Sequence, residues 1–480
     1  MKQLEKITPW KEDFARWYTD VIKGGELMEY GPIKGTIYFK PNSYAIWENI
    51  QKHLSEVFAR KGVKNVYLPM LIPQSFIEKE KEHVKGFAPE LATVTHVGEN
   101  KLQENLYIRP TSEVLFGDYF KKVINSYKDL PLLLNQWTSV IRWEKTTNPF
   151  LRTSEFLWQE GHTSHNSSID ARKFSREMIK AYAKFSKDYL AIPTIIGKKT
   201  PREKFAGACT TYTIEGMMKD GKALQMGTSH YLAQKFSKVY NVTFKNKDNV
   251  SEYVYQTSWG VSTRLLGALI MTHGDDRGII LPPKIAPVQV DILELFADKN
   301  PQVSKVVDEL EKNISKIYKV RVDRSDKSLG FKAANSEIQG VPLRIEVGPK
   351  DLENDEVLLV RRDNLTKIRV PLAEVRTWVG DLLKKIQQDM YEKAKKRLLD
   401  NIVKPETYEQ FKKSIQEQKF AIIPFNGSAE EEEKIQQETG ATARCILLDC
   451  SLNNEKENKK SKCLISNKKS KRWVVFAKSY

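Results

Sequence analysis

Residues 138–165 constrain this chain more than any other stretch. Two apolar-rich runs, 139–143 and 156–161, are separated by a charged loop that contains Asn148-Pro149. Alternating runs joined by such a loop predict an antiparallel hairpin. Arg142 and Glu144 stand two apart, which places them on one side of an extended strand, while Arg152 and Phe156 flank the return. Trp158, Glu160 and His162 also alternate, so the returning strand should present an aromatic, an acid and an imidazole on one face. A guanidinium keeps its charge near neutral pH and grips phosphate oxygens bidentately, and Phe156 offers a surface for a purine. This pattern suits a nucleoside triphosphate. Surface salt bridges on an ordinary hairpin are the alternative.

Composition enters at this point because it narrows the partner. The 480 residues carry a formal charge of +17, too large for a typical metabolic enzyme, and this points to a polyanion before a membrane surface. With 40% apolar and 29% charged residues the chain is globular and long enough for about three domains. It has no run of eighteen apolar residues, and its first residues lack a signal-peptide core. A cytoplasmic protein without membrane association is expected.

Upstream of the hairpin, spacing predicts a short helix over 14–22, a strand over 36–40 stopped by Pro41, and a long helix from Tyr44 capped by Asn42 or Ser43. That helix would use Trp47, Ile50, Leu54, Val57 and Phe58 as its apolar side, followed by a strand at 66–69. Residues 78–105 are polar with little periodicity and read as a mobile insertion. Residues 106–113 then suggest a strand, a turn at Pro110 and a helix capped by Thr111 or Ser112.

Downstream, 168–190 reads as an amphipathic helix whose Phe174, Met178, Tyr182, Phe185 and Tyr189 form a core stripe. An alternating strand follows at 210–215, then a polar ladder over 221–230, and 255–264 leads into an apolar helix at 265–272. A helix start with Gly260 and Arg264 beside it is a natural phosphate site.

After Pro282-Pro283 the texture changes to strands at 288–293, 319–322, 343–347 and 356–361 with helices at 303–317 and 331–338, implying a mixed sheet covered by helices. A basic helix over 372–399 reads as a connector. A last region has strands at 420–424 and 444–448 around an acidic helix ended by Gly440, then a lysine-rich loop over 453–472. Three of the four cysteines, Cys445, Cys450 and Cys463, fall in this last region, which in a reducing compartment suggests metal before disulfide.

The hairpin resembles motif 2 of the class II aminoacyl-tRNA synthetases, an Arg-x-Glu followed across a loop by Arg-x-x-x-Phe. Within that class, from about Trp10 to Tyr480, the chain resembles the prolyl-tRNA synthetases of the archaeal and eukaryotic type. The helix after Pro41 resembles motif 1, which pairs two subunits, although a helix packed on its own core has the same pattern. Residues 255–272 resemble motif 3, with Arg264 its arginine and Thr263 where the wider class has glutamate.

The fold so implied is α/β: an α+β catalytic domain built on the class II antiparallel sheet with helices (1–283), a mixed α/β anticodon-binding domain (284–385), and a connector helix with a small α/β, zinc-binding-like C-terminal domain (386–480). The implied activity is activation of proline with ATP and Mg²⁺ and transfer to the 3′ end of tRNA(Pro), by a homodimer paired through motif 1. Arg142 and Arg264 would be catalytic. The resemblance gives proline Thr111, Glu113, Arg142, Trp158, Glu160, His162, Phe205, His230 and Ser258, and gives ATP Arg142, Glu144, Arg152, Phe156, Gln225, Thr228, Thr263 and Arg264. Arg344, Glu346, Lys350 and Arg362 are candidates for reading the anticodon, against ordinary charges at a sheet edge.

Zinc would take Cys445, Cys450, Cys463 and a fourth position that here holds Ser466. A neutral hydroxyl is a poor zinc ligand, so that metal stays open. Tyr480 resembles a family tyrosine that reaches toward the active site. The short distance between the hairpin and 221–230 leaves no room for the editing domain of bacterial-type prolyl enzymes.

Overall fold

The computed structural model describes residues 7–79, 91–448, 462–470 and 472–480. Its largest feature is an eleven-stranded sheet. In spatial order the strands are Ile402–Val403, Phe420–Pro424, Trp473–Ala477, Thr442–Leu447, Thr194–Lys198, Thr210–Met217, Ala223–Ala233, Tyr255–Ser262, Glu155–His165, Leu132–Ile141 and Lys64–Asn65. All neighbours pair antiparallel except the two outermost pairs, which are parallel.

The hairpin forms as its alternation requires, but its strands are longer than expected and the first ends at Ile141. Arg142 and Glu144 therefore sit in the loop and do not project from the strand. The loop is drawn back by a bond from Arg142 N to Ser154 O at 2.8 Å. On the returning strand the side chains at 157, 159 and 161 face a helical layer. Gln159 accepts from the Tyr182 hydroxyl of helix Ser168–Asp188, and Gly161 leaves the space that the Trp259 indole fills. The helix stripe read from sequence packs there: Phe174, Met178, Tyr182 and Phe185 belong to the main core together with Trp17, Trp47, Phe58 and Leu269.

Helix Pro41–Ala59 starts at the proline itself, three residues before the expected Tyr44. Proline fits a first turn because its missing N–H would have no partner there. Asn42 is not a cap; its Nδ2 donates to Gly25 O at 3.1 Å. The helix turns Ile46, Trp47, Ile50, Leu54 and Phe58 into the core of its own chain. The apolar side of the helix is thus covered internally.

No strand forms at 66–69. The preceding strand stops at Asn65, and tertiary partners take the backbone groups that a ladder would have used. Leu68 N donates to Gln136 Oε1 at 3.0 Å, and Leu68 O accepts from the buried Arg109 guanidinium at 2.8 Å. The stretch expected to be a mobile insertion also differs: Thr93–Val97 and Asn100–Ile108 pair as a hairpin and join Leu71–Pro73 in a three-stranded sheet. Residues 80–90 of that stretch lie outside the described residues.

Beyond the double proline, a five-stranded mixed sheet is ordered Val320–Asp323, Val290–Glu294, Leu343–Val347, Glu356–Arg361 and Lys367–Pro371. The last strand was not legible. The long helix, Val375–Asp400, contributes Val375, Val379, Leu382, Leu383 and Ile386 to the core of this unit and continues unbroken through 385 and 386. The C-terminal unit then joins the eleven-stranded sheet, because Thr442–Leu447 pairs with Thr194–Lys198 through Ile446 and Leu447.

That seam is close-packed at Gly197, where an added Cβ would overlap the Cβ and Sγ of Cys445. Gly197→Ala should therefore cost about 1–3 kcal/mol of stability by overpacking, read as a lowered denaturant midpoint. An unchanged midpoint would mean the seam is looser than described.

Candidate active site

The catalytic face of the sheet is built from rows of side chains that pairing brings side by side. Thr211, His230, Ser258 and His162 face each other across four adjacent strands, and in the next row stand Thr213, Thr228, Gly260, Glu160 and Gln136. Over these rows opens a cavity of about 290 Å³. Gly260, which has no side chain, leaves its floor clear in the second row. The wall includes Thr111, Glu113, Arg142, Glu144, Arg152 and Phe156, as well as Trp158, Glu160, His162 and Phe205. Gln225, Thr228, His230, Ser258 and Arg264 complete it on the other side.

One end of the cavity is polar and tightly organised. Glu160 accepts from Ser112 N at 3.2 Å, Ser112 Oγ at 2.5 Å and Gln136 Nε2, and lies 3.1 Å from His162 Nε2. His162 stacks on Phe116 with ring centres 4.0 Å apart. Thr111 Oγ1 donates to Glu113 Oε2. His230 is held between Thr211, 3.0 Å from its Nδ1, and the Phe205 ring at 4.6 Å. Two wall groups, Trp158 Nε1 and Ser258 Oγ, are buried with no hydrogen-bond partner among the described residues. A buried donor without a partner is costly, so these groups suit a small polar ligand.

The other end is cationic. Arg142 lies 5.4 Å from the Phe156 ring centre and 5.3 Å from that of Trp158, with its Nε donating to Pro110 O at 3.0 Å. Arg264 donates from Nε to Leu151 O at 3.2 Å and from Nη1 to Gln225 O at 3.3 Å. Burial, then the neighbouring charges of Arg142, Arg152 and Arg444, pushes the Arg264 guanidinium down to about 10. The three guanidiniums line one cavity, and an anion there would relieve the repulsion felt by Arg264. Arg152 is more exposed and lies 3.5 Å from Glu144, so the surface-pair alternative describes these two residues.

Several expected residues are placed elsewhere. Thr263 is buried at the start of helix Arg264–His273 and is not on the cavity wall. Arg344, Glu346 and Arg362 are not at an open sheet edge. Arg344 is buried between Glu337 (2.6 Å) and Glu346 (2.8 Å), and Arg362 grips Asp275 with both terminal nitrogens at 2.8 and 2.6 Å. Arg344 and Glu346 neutralise each other within the second unit, Arg362 ties that unit to the loop after helix Arg264–His273, and Lys350 is left exposed among the four.

The zinc set is not assembled among the described residues. Cys445 is a fully buried strand residue whose thiol faces Gly197 across the seam. Cys450 lies outside the described residues, and among those described no three His, Cys, Asp or Glu side chains are grouped to hold a metal. Tyr480 donates its hydroxyl to Asp220 Oδ2 at 2.6 Å and is not on the cavity wall.

Sequence reasoning missed Thr211, which also accepts from Phe205 N at 3.1 Å, and the Ser112–Gln136 pair that fixes Glu160. Thr211 lies in a strand whose alternation was read. The other two needed the pairing of Gln136 with Glu160 across two strands and the placement of the helix that Ser112 precedes.

Three segments of the chain match known families. Residues 94–273 match the tRNA synthetase class II core domain (G, H, P, S and T), residues 284–382 an anticodon binding domain, and residues 408–480 the C-terminal region of prolyl-tRNA synthetase. The proline--tRNA ligases of Mycoplasmopsis pulmonis and Mycoplasmopsis synoviae are 60% and 61% identical, each alignment covering 100% of both chains. A crystal structure of prolyl-tRNA synthetase from Cryptosporidium parvum complexed with halofuginone and AMPPNP superposes with a TM-score of 0.93 at 38% identity, covering 100% of this chain and 98% of that one. With a class II core, an anticodon-binding unit and the matching C-terminal region in order along one chain, and full-length relatives at this identity, the chain belongs to the prolyl-tRNA synthetases, class II aminoacyl-tRNA synthetases.

Proposed function

We propose that this cavity joins proline to ATP and passes the prolyl group to the 3′ end of tRNA(Pro). The observation that carries the reading is the convergence of Arg142 and Arg264, far apart in sequence, on one cavity whose other end is lined by Thr111, Glu113, Trp158 and His162. The proline nitrogen, a secondary ammonium with two N–H donors, would donate to Thr111 and the Glu113 carboxylate. Trp158, Phe205 and His162 would enclose the ring. Arg142 would lie between the proline carboxylate and the α-phosphate. The carboxylate oxygen would attack α-phosphorus as the bond to the bridging oxygen breaks and pyrophosphate leaves.

Catalysis in this scheme is placement and charge stabilisation, with no side-chain nucleophile. Arg152 would hold the γ-phosphate after leaving Glu144, which would turn to the adenine amino group. The adenine would lie between Phe156 and Arg264, beside Gln225 and Thr228. Mg²⁺, when bound with the triphosphate, would neutralise phosphate charge. Such an ion needs only one or two protein carboxylates, and the wall residue Glu203 is available for it. The Cryptosporidium parvum relative was solved with AMPPNP, which supports the nucleotide reading.

For tRNA, the +17 charge supports backbone binding, and exposed Lys350 is the anticodon-side candidate, with Arg344, Glu346 and Arg362 as its frame. The domain division at 283 and 385 and the archaeal and eukaryotic type belong to the same proposal. The type is supported by the connection from Glu155–His165 to Thr210–Met217, filled by one helix and one strand. A homodimer is supported by exposed Tyr30, Ile33 and Tyr38 before helix Pro41–Ala59 and by exposed Tyr44 in its first turn. A cytoplasmic setting is consistent with there being no helix among the described residues long and apolar enough to cross a membrane.

Proline-dependent exchange of pyrophosphate into ATP tests the reaction directly. Arg142→Ala should lower the exchange rate about 10²- to 10³-fold, the loss typical of one preorganised charge donor. A rate within a few-fold of the unmodified chain would remove Arg142 from the mechanism. A pocket shaped for a five-membered ring rejects smaller or similar-sized amino acids by only about 10- to 200-fold. Alanine or cysteine should therefore support measurable exchange, and a deficit of more than about ten-thousand-fold for both would contradict this account of selectivity.

A further inference from the structure

Strand Thr442–Leu447 of the C-terminal unit sends Arg444 across the seam into the catalytic sheet. Its Nε and Nη2 donate to Glu215 Oε2 at 3.1 and 2.9 Å. The other oxygen of Glu215 accepts from Lys199 Nζ and from Thr213 Oγ1, each at 2.8 Å. Glu215 is completely buried, and Lys199 and Arg444 are nearly so. Burial alone would raise the Glu215 carboxyl, but Arg444, Lys199 and these hydrogen bonds hold it below the ordinary carboxylate range. A buried ionic cluster gives little net stability over well-packed apolar residues, so its value is to be sought in the geometry it enforces.

That geometry is a register shift. Ile214 pairs with Gly227 but Glu215 pairs with Gln225, which leaves Met226 as the extra residue of a β-bulge. In a regular strand, residues three apart point to opposite faces. Gln225 and Thr228 are three apart, yet they stand opposite Glu215 and Thr213, which are two apart on one face, because the bulge between them resets the phase. The same Gln225 offers its carbonyl oxygen to Arg264 Nη1. Glu215 is thus the paired residue that closes the bulge, one link from Arg264, and it is fixed from the far side by a guanidinium that belongs to another unit.

We infer that Arg444 is a positioning residue for ATP. By clamping Glu215 at the bulge, it sets Gln225 toward the nucleotide and Arg264 over it. The C-terminal unit thereby takes part in nucleotide binding without touching the substrate. This inference rests on the proposed reading of Gln225 and Arg264 as ATP contacts. It makes no claim on proline, whose proposed ammonium contacts, Thr111 and Glu113, lie on the segment after Pro110 and not on the strands that carry Glu215 and the bulge.

The test uses the full chain and steady-state pyrophosphate exchange, with ATP and proline varied separately and a thermal melt run alongside. Arg444→Met should raise KM for ATP about 10-fold or more, leave KM for proline within about 2-fold, and still melt cooperatively. Arg444→Lys, which keeps the cation, should recover part of the ATP effect. A folded Arg444→Met protein with unchanged KM for ATP, or with both KM values raised alike, overturns the inference.

Should Arg444→Met fail to fold, Thr442→Val serves instead. It removes the 2.8 Å bond from Arg444 Nη1 to Thr442 Oγ1 and leaves Glu215 paired. It should raise KM for ATP about 2- to 3-fold with KM for proline unchanged. An unchanged KM for ATP in that variant overturns the inference. An unmodified chain that shows no exchange overturns the proposed function and this inference together, whereas an active chain with an indifferent Arg444 overturns the inference alone.

Discussion

Period-two alternation along strand Glu155–His165 is the constraint from which the site follows. Phe156, Trp158, Glu160 and His162 face the cavity, while Gln159 and Gly161 between them meet Tyr182 and Trp259 of the helical side. A slip of one residue would bury the acid and imidazole against the helices and expose the packing face. The register is held from both sides, by the Tyr182–Gln159 bond behind and by Ser112 and Gln136 on Glu160 in front. Specificity for a small polar ligand therefore depends on the same contacts that pin the sheet.

What could be read from the sequence is what repeats with a period. The cavity face of the returning strand, the core stripe on helix Ser168–Asp188, and strands Leu343–Val347 and Glu356–Arg361 all follow from side chains counted along one segment. What escaped depends on other segments. Residues 66–69 have the look of a strand, but their backbone is satisfied by Gln136 and Arg109. Arg142 and Glu144 obey a strand's spacing, yet the strand has ended one residue earlier. The bulge at Met226 leaves no mark that local pattern reading can detect.

Charge was legible in sign and opaque in use. The sequence carries many arginines, and the structure divides them into two populations with different consequences. Arg344, Arg361 and Arg362 are buried with acids that neutralise them, and they act as framework. Arg142, Arg152 and Arg264 line a cavity, where burial and then the fields of Arg142 and Arg152 disfavour the charge of Arg264. Spacing cannot separate the two populations, because acids two residues away, Glu346 and Asp363, act together with partners as distant as Asp275 from Arg362.

The contact between Gly161 and Trp259 has a consequence for how such a chain can vary over time. The indole occupies the volume that any larger side chain at 161 would claim, and the two residues face each other directly across adjacent strands. Neither position is free to drift by itself. Enlarging the first would evict the ring from the main core, while shrinking the second would open a void beneath the floor of the catalytic hollow, so acceptable change at either place has to arrive as a matched pair.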